Sequence, residues 1–111
     1  MESIYLCHQA RLAEGCALGF DPHHEGRDTL LVLRWQGLLR AWLNSCPHLE
    51  VPMHYRKGRF LSADGQYIVC FAHGALFVPD TGLCVLGPCL GQSLHPQSLS
   101  VDEEGGVWLA V

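Results

Sequence analysis

The chain has 111 residues, with 7 Lys plus Arg against 11 Asp plus Glu for a formal net charge of -4, and is 49% hydrophobic and 16% charged. That length suits one domain with a single modest core, taken as residues 1–111, and no separate large catalytic domain is expected. The acidic balance gives no attraction to a phosphate backbone, so no nucleic acid partner is expected.

No apolar stretch approaches the ~20 residues of a membrane helix, so no membrane association is expected. The start, "MESIYLCHQARLAEG", lacks a basic segment followed by a long apolar run, which predicts a cytoplasmic location. Without a secretory signal, the six cysteines read as metal ligands plus reduced thiols rather than three disulfides.

In chain order, a helical turn is the reading for "QARLAEG" (9–15), and strands are predicted at "CALGFD" (16–21), "TLLVLRWQG" (29–37) and "LLRAWLNS" (38–45). After a long stretch without strand pattern, where "VPMHYRKGRF" (51–60) could host another helical turn, strands resume. They are "QYIVCFA" (66–72), "ALFVPD" (75–80), "LCVLG" (83–87), "LSVDEE" (99–104) and "GVWLAV" (106–111). All are short runs rich in Val, Leu, Ile, Phe and Trp. Gly, Pro and Asp supply the turns between them, as in "DPHHEGRD", "WQG", "ADGQ", "PDTG", "GPCLG" and "EEGG". Turn signals every 8–12 residues or so predict a mostly β, antiparallel sandwich or barrel with little helix.

Two loops carry the chemistry. Cys46 and His48 form C-x-H in "CPHLE", Cys70 and His73 form C-x-x-H in "CFAHG", and positions 49–69 separate the pairs. Zinc modules usually build on C-x2-4-C knuckles and H-x3-5-H pairs, whereas each loop here mixes one thiolate with one imidazole. A zinc-stabilised binding module stays open on spacing alone. The mixture suits two irons bridged by sulfide, one taking both sulfurs and the other both imidazoles. Neutral His in place of thiolate raises the reduction potential from roughly -400 mV into a window starting near -150 mV.

Cys46-Pro47-His48, Cys70-x-x-His73-Gly74-Ala75-x-Phe77, Asp80-Thr81-Gly82, Gly87-Pro88 and Leu94 together resemble a Rieske [2Fe-2S] ferredoxin. The resemblance runs from about Thr29 onward and implies a Rieske-type β fold. Strands from both chain ends would form a base, beneath a cluster-binding subdomain at about 44–89. It implies that Cys46 and Cys70 ligate one iron and His48 and His73 the other, with the imidazoles nearer the surface. Gly87-Pro88 would cover the cluster from a third side, and backbone amides around Leu49, Gly74 and Ala75 would reach its sulfurs.

Departures from the high-potential branch of that family set a further expectation. The branch's stapling disulfide would need Cys in each ligand loop, where this chain has Glu50 or Val51 and Ala72. Its Ser and Tyr donors to the cluster are replaced by Ala75 and Phe77. Fewer donors to the reduced cluster predict a potential near the bottom of the Rieske window.

The resemblance implies a one-electron carrier, not an enzyme that transforms a substrate. It would pass electrons between a reductase and a terminal oxygenase or hydroxylase, with redox proteins as partners. The alternative is a non-catalytic redox or regulatory subunit of an oxidoreductase complex. Elsewhere, Cys7, Cys16, Cys84 and Cys89 are read as reduced thiols, although Cys84 and Cys89, flanking "VLGP", offer a disulfide or redox-sensing reading. "DPHHE" reads as a solvated turn rather than a second metal site, since adjacent His on an extended chain point apart. Trp35, Trp42 and Trp108 are assigned to packing, positions 53–57 to a solvated loop that could contact a partner, and Asp102, Glu103 and Glu104 to a hairpin tip.

Overall fold

The structure is a computed structural model and describes residues 3–45, 60–62, 64–70 and 74–110. The strands are β1 (Ser3–His8), β2 (Ala17–Phe20), β3 (Leu30–Trp35), β4 (Leu38–Leu43), β5 (Ile68–Cys70), β6 (Ala75–Phe77), β7 (Cys84–Leu86), β8 (Pro96–Gln97), β9 (Leu99–Val101) and β10 (Gly106–Ala110). Among the described residues, one 3-10 turn at Gln9–Arg11 is the whole of the helix. The expected mostly β, antiparallel fold is what the chain adopts.

Three sheets result, ordered β1-β10-β9, β2-β3-β4-β8 and β5-β6-β7, and every pair of strands within them is antiparallel. The first joins the two ends of the chain, as the resemblance implied. The third carries the second candidate ligand loop.

β3 organises the whole. Its side chains alternate between faces, and both faces are buried: Leu30 and Val32 enter a core with Cys7, Leu12, Ala41, Val107 and Leu109. Leu31 and Leu33 enter the other, with Trp42, Phe60, Ile68, Cys70, Phe77, Cys84, Cys89 and Leu94. The run "LLVL" is therefore continuous in sequence because two cores share one strand. On β4 the same alternation sends Ala41 one way and Trp42 the other.

Tight local chemistry fixes the register. The β3–β4 hairpin turns through Gln36 and Gly37, at φ 52° and 80°, the two positive values a two-residue primed turn requires. Glu14 holds that turn, its two carboxylate oxygens each accepting a backbone N–H at 2.7 Å, from Gln36 and Gly37. At the far end, Asp102 accepts from the amides of Glu104 and Gly106 and from the Trp108 indole at 2.8–2.9 Å. The predicted strand "LSVDEE" thus stops at Val101, because Asp102 folds the next residues into a turn.

Two elements were not expected. β1 pairs with β10 through a register shift between Tyr5 and Cys7, so Leu6 occupies a bulge that erases the period-2 signal. β8 is a two-residue strand containing Pro96, paired only to β4. Proline is tolerated there because the strand ends its sheet. The helical turn read at "QARLAEG" is present as Gln9–Arg11, capped by the His8 side chain accepting from the Ala10 amide at 3.0 Å. The turn considered at 51–60 lies outside the described residues but for Phe60, which is buried.

Candidate functional site

Cys70 is the last residue of β5, completely buried, and lies opposite Ala75 in the β5–β6 pair. β5 reads Ile68-Val69-Cys70 with all three side chains buried, so the thiol is presented by a strand wedged into the core. The connection back is closed by the Gly74 amide donating to the Cys70 carbonyl at 2.7 Å. Gly74 takes φ 73° with open space where a Cβ would stand. Its requirement is therefore conformational rather than steric.

The third loop presses on this hairpin. Gly87 sits at φ 109°, and a Cβ there would come within 2.7 Å of Ala75 Cα. Glycine is required on both counts. Gly87 therefore lies directly against Ala75, at the start of β6. Ala75 and Phe77 are themselves fully buried, and neither side chain carries a hydrogen-bond donor.

The turn at 79–82 is tied down on both sides. Arg40 bridges the Asp80 carboxylate at 2.9 Å, and Gly82 (φ 74°) leaves room for the Trp42 ring, which a Cβ would meet at 2.8 Å. Trp42 is a core residue, as expected. Its Nε1 is buried without a hydrogen-bond partner among the described residues. Trp108 instead stacks edge-on against Tyr5 at 5.2 Å.

Cys46, His48 and His73, together with positions 53–57, lie outside the described residues, so of the four proposed ligands the structure locates Cys70. At Cys70 the structure shows a buried thiol at the end of β5, beside a connection closed by the Gly74 amide and a loop whose Gly87 lies against Ala75. A second metal site at "DPHHE" is not built. The Asp21 carboxylate is occupied by the amides of Glu25 and Gly26, both at 2.8 Å, which hold its pKa below the usual carboxylate value. No three His, Cys, Asp or Glu side chains converge on a metal position among the described residues. A cavity of about 380 Å³ opens beside Thr29, Leu43, Asn44 and Ser45, where β4 leads toward Cys46.

One arrangement exceeded the reading of the sequence. Cys84 and Cys89 meet, with Sγ to Sγ 3.2 Å, and the Cys84 thiol also donates to the Leu86 carbonyl at 3.2 Å. The C-x4-C spacing across a Gly-Pro turn was the signal for it.

Comparison with known proteins gives a consistent picture. The family model for the Rieske [2Fe-2S] domain matches residues 2–102. No curated protein matches the chain in sequence. Among solved structures, the ferredoxin of carbazole 1,9a-dioxygenase from Nocardioides aromaticivorans IC177 is similar over 99% of this chain and 98% of its own, at 22% identity and TM-score 0.72. A complex of reduced oxygenase and oxidized ferredoxin in carbazole 1,9a-dioxygenase contains a chain 24% identical, covering 97% of this chain and 92% of that one, with TM-score 0.72. The terminal oxygenase of carbazole 1,9a-dioxygenase from Novosphingobium sp. KA1 matches 99% of this chain with only 30% of its own length, at 21% identity and TM-score 0.71.

Proposed function

The chain belongs to the Rieske [2Fe-2S] domain family, and on that premise we propose that it is a one-electron carrier serving a terminal oxygenase or a similar redox enzyme. The observation that carries this reading is the match of the family model over residues 2–102, joined by a fold similar to that of a dioxygenase ferredoxin over 98% of that ferredoxin's length.

Cys46 and Cys70 would hold one iron of the [2Fe-2S] cluster, and His48 and His73 the other. When bound, the cluster supplies a single reversible electron, at a potential raised by the two neutral imidazoles. The protein's own contribution is enclosure. Cys70 reaches its position from a buried strand, and Gly74 and Gly87 let backbone, rather than side chains, line the approach. Ala75 and Phe77 withhold the hydroxyl donors that would favour the reduced state, which puts the potential near the bottom of the Rieske range.

The domain spans 1–111 with a cluster-binding part at about 44–89, and acts without transforming a substrate. Its partners are a reductase and a terminal oxygenase or hydroxylase, consistent with the oxygenase–ferredoxin complex to which it is similar. No helix among the described residues is long and apolar enough to cross a membrane, and the reading places the carrier in the cytoplasm.

Electron paramagnetic resonance of the dithionite-reduced protein tests the cluster. A rhombic signal with an average g below that of all-cysteine clusters is expected, with iron and acid-labile sulfide in equal amounts. Zinc without iron would replace this reading with a metal-stabilised binding module. His48→Cys is expected to lower the potential or abolish the cluster, while Glu50→Gln leaves assembly intact. Equal loss in both would defeat the ligand assignment, and a midpoint above roughly 100 mV would defeat the low-potential reading.

A further inference from the structure

We propose that Cys84 and Cys89 form a redox-active dithiol that closes reversibly to a disulfide by exchange with a low-molecular-weight disulfide. The sulfurs already touch at 3.2 Å, and a bond of ~2.05 Å needs an approach of only about 1 Å.

The backbone holds them in place from both sides. The Cys84 amide donates to the Gln92 carbonyl at 2.8 Å, and the Gly91 amide to the Cys84 carbonyl at 3.3 Å. The Leu90 amide donates to Gly87, and the Gln92 amide to Cys89, turning the chain back on itself. Neither thiol is exposed by more than 1%, yet the loop between and beside them is open, with Leu86 57% and Leu90 67% exposed. Both thiols belong to the core that also holds Leu31, Leu33 and Cys70, so an exchange partner reaches them when that loop lifts and opens this edge of the core. The other described thiols differ: Cys70 shares this core as a proposed cluster ligand, Cys16 is exposed, and Cys7 lies in the opposite core, where burial pushes its thiol pKa up.

Exchange is balanced by the external disulfide. One thiolate attacks it and releases a thiol, leaving a mixed disulfide. The second cysteine then displaces the remaining group. The protein loses two electrons and two protons, and both appear on the two released thiols. The new bond closes a ring across Gly87, whose backbone abuts Ala75, and so stiffens the loop against the hairpin that begins at Cys70. That consequence rests on the cluster reading, whereas the dithiol does not.

The test uses the full-length, cluster-loaded protein, equilibrated anaerobically in glutathione buffers of increasing oxidised share. Samples are acid-quenched, alkylated with N-ethylmaleimide and mapped by mass spectrometry, with visible absorption recorded on each beforehand. The peptide containing both cysteines is expected to lose about 2 Da and refuse the label. Cys84→Ser and Cys89→Ser are each expected to carry glutathione on the remaining sulfur. Full labelling of both cysteines at the most oxidising ratio, or a separate glutathione on each, overturns the proposal. A cross-link in a sample without cluster absorption supports the dithiol and counts against the cluster.

Discussion

Replacing Gly87 with alanine separates a contact from a conformation. The residue stands at φ 109°, where a side chain costs about 1–3 kcal/mol whatever the surrounding space. The added Cβ would also lie 2.7 Å from Ala75 Cα and 3.3 Å from Ala75 N. Both are backbone atoms, so no rotamer can give way, and overpacking of this kind costs a further ~1–3 kcal/mol. Gly91 supplies the comparison, since it sits at φ 88° on the same loop with nothing within 4 Å of an added Cβ. Gly91→Ala therefore bears the conformational cost alone. The two variants differ by the contact, about 1–3 kcal/mol, which for a domain of this size separates their melting midpoints by roughly 4–12 °C. Thermal unfolding followed by near-ultraviolet circular dichroism reads that difference. The ratio of visible to protein absorption reads cluster content, which should fall in Gly87→Ala and hold in Gly91→Ala. Equal midpoints and equal cluster content would refute the claim that the third loop is seated on Ala75.

Two further substitutions probe the supports of the fold. The Asp102 pKa is lowered first by the Trp108 indole N–H and then by the Gly106 amide. A depressed folded value means its stabilisation is present above the unfolded carboxylate value of about 3.9 and is lost as pH falls through the lower folded one. Melting midpoints measured from about pH 6 down to about pH 3 should fall more steeply for the wild type than for Asp102→Asn, and parallel curves would remove Asp102 from the account. Trp42→Phe deletes a buried N–H that has no partner among the described residues. Urea unfolding should show a change within about 1 kcal/mol, because relief of the unmet donor, worth ~1–3 kcal/mol, offsets the lost ring area. A loss of about 3 kcal/mol or more, of the size expected for aromatic truncation, would mean the indole N–H is satisfied.

What the sequence could and could not disclose follows from where each signal resides. β3 and β4 were legible because each is a short run rich in Leu with Val, Ala or Trp, bounded by turn residues, and the Gln36-Gly37 turn states its own geometry. β1 was hidden because its bulge at Leu6 breaks the alternation of a strand, and β8 because two residues carry no pattern at all. The division of "LLVL" between two cores was equally out of reach, since an unbroken apolar run is identical whether one core or two receive it.

The site divides in the same way, between chemistry that is written in residue types and contact that is written only in space. Mixed Cys and His pairs at short spacing propose a donor set from residue types alone, and of these four Cys70 lies among the described residues; that Gly74 is needed for its positive φ and not for a close approach is visible only in the folded backbone. That Gly87 is needed for what lies against it, rather than for its turn alone, depends on Ala75 arriving from a different strand. The meeting of Cys84 with Cys89 likewise depends on hydrogen bonds from Gly91 and Leu90 that bring the chain back. A thiol pair five residues apart is only a weak signal on its own. It acquires chemistry only when the backbone between them is turned so that two sulfurs cannot avoid each other, and here the turn is made by the same Gly87 that seats the loop on the ligand hairpin. One glycine thus lies both in the turn between the two thiols and against Ala75.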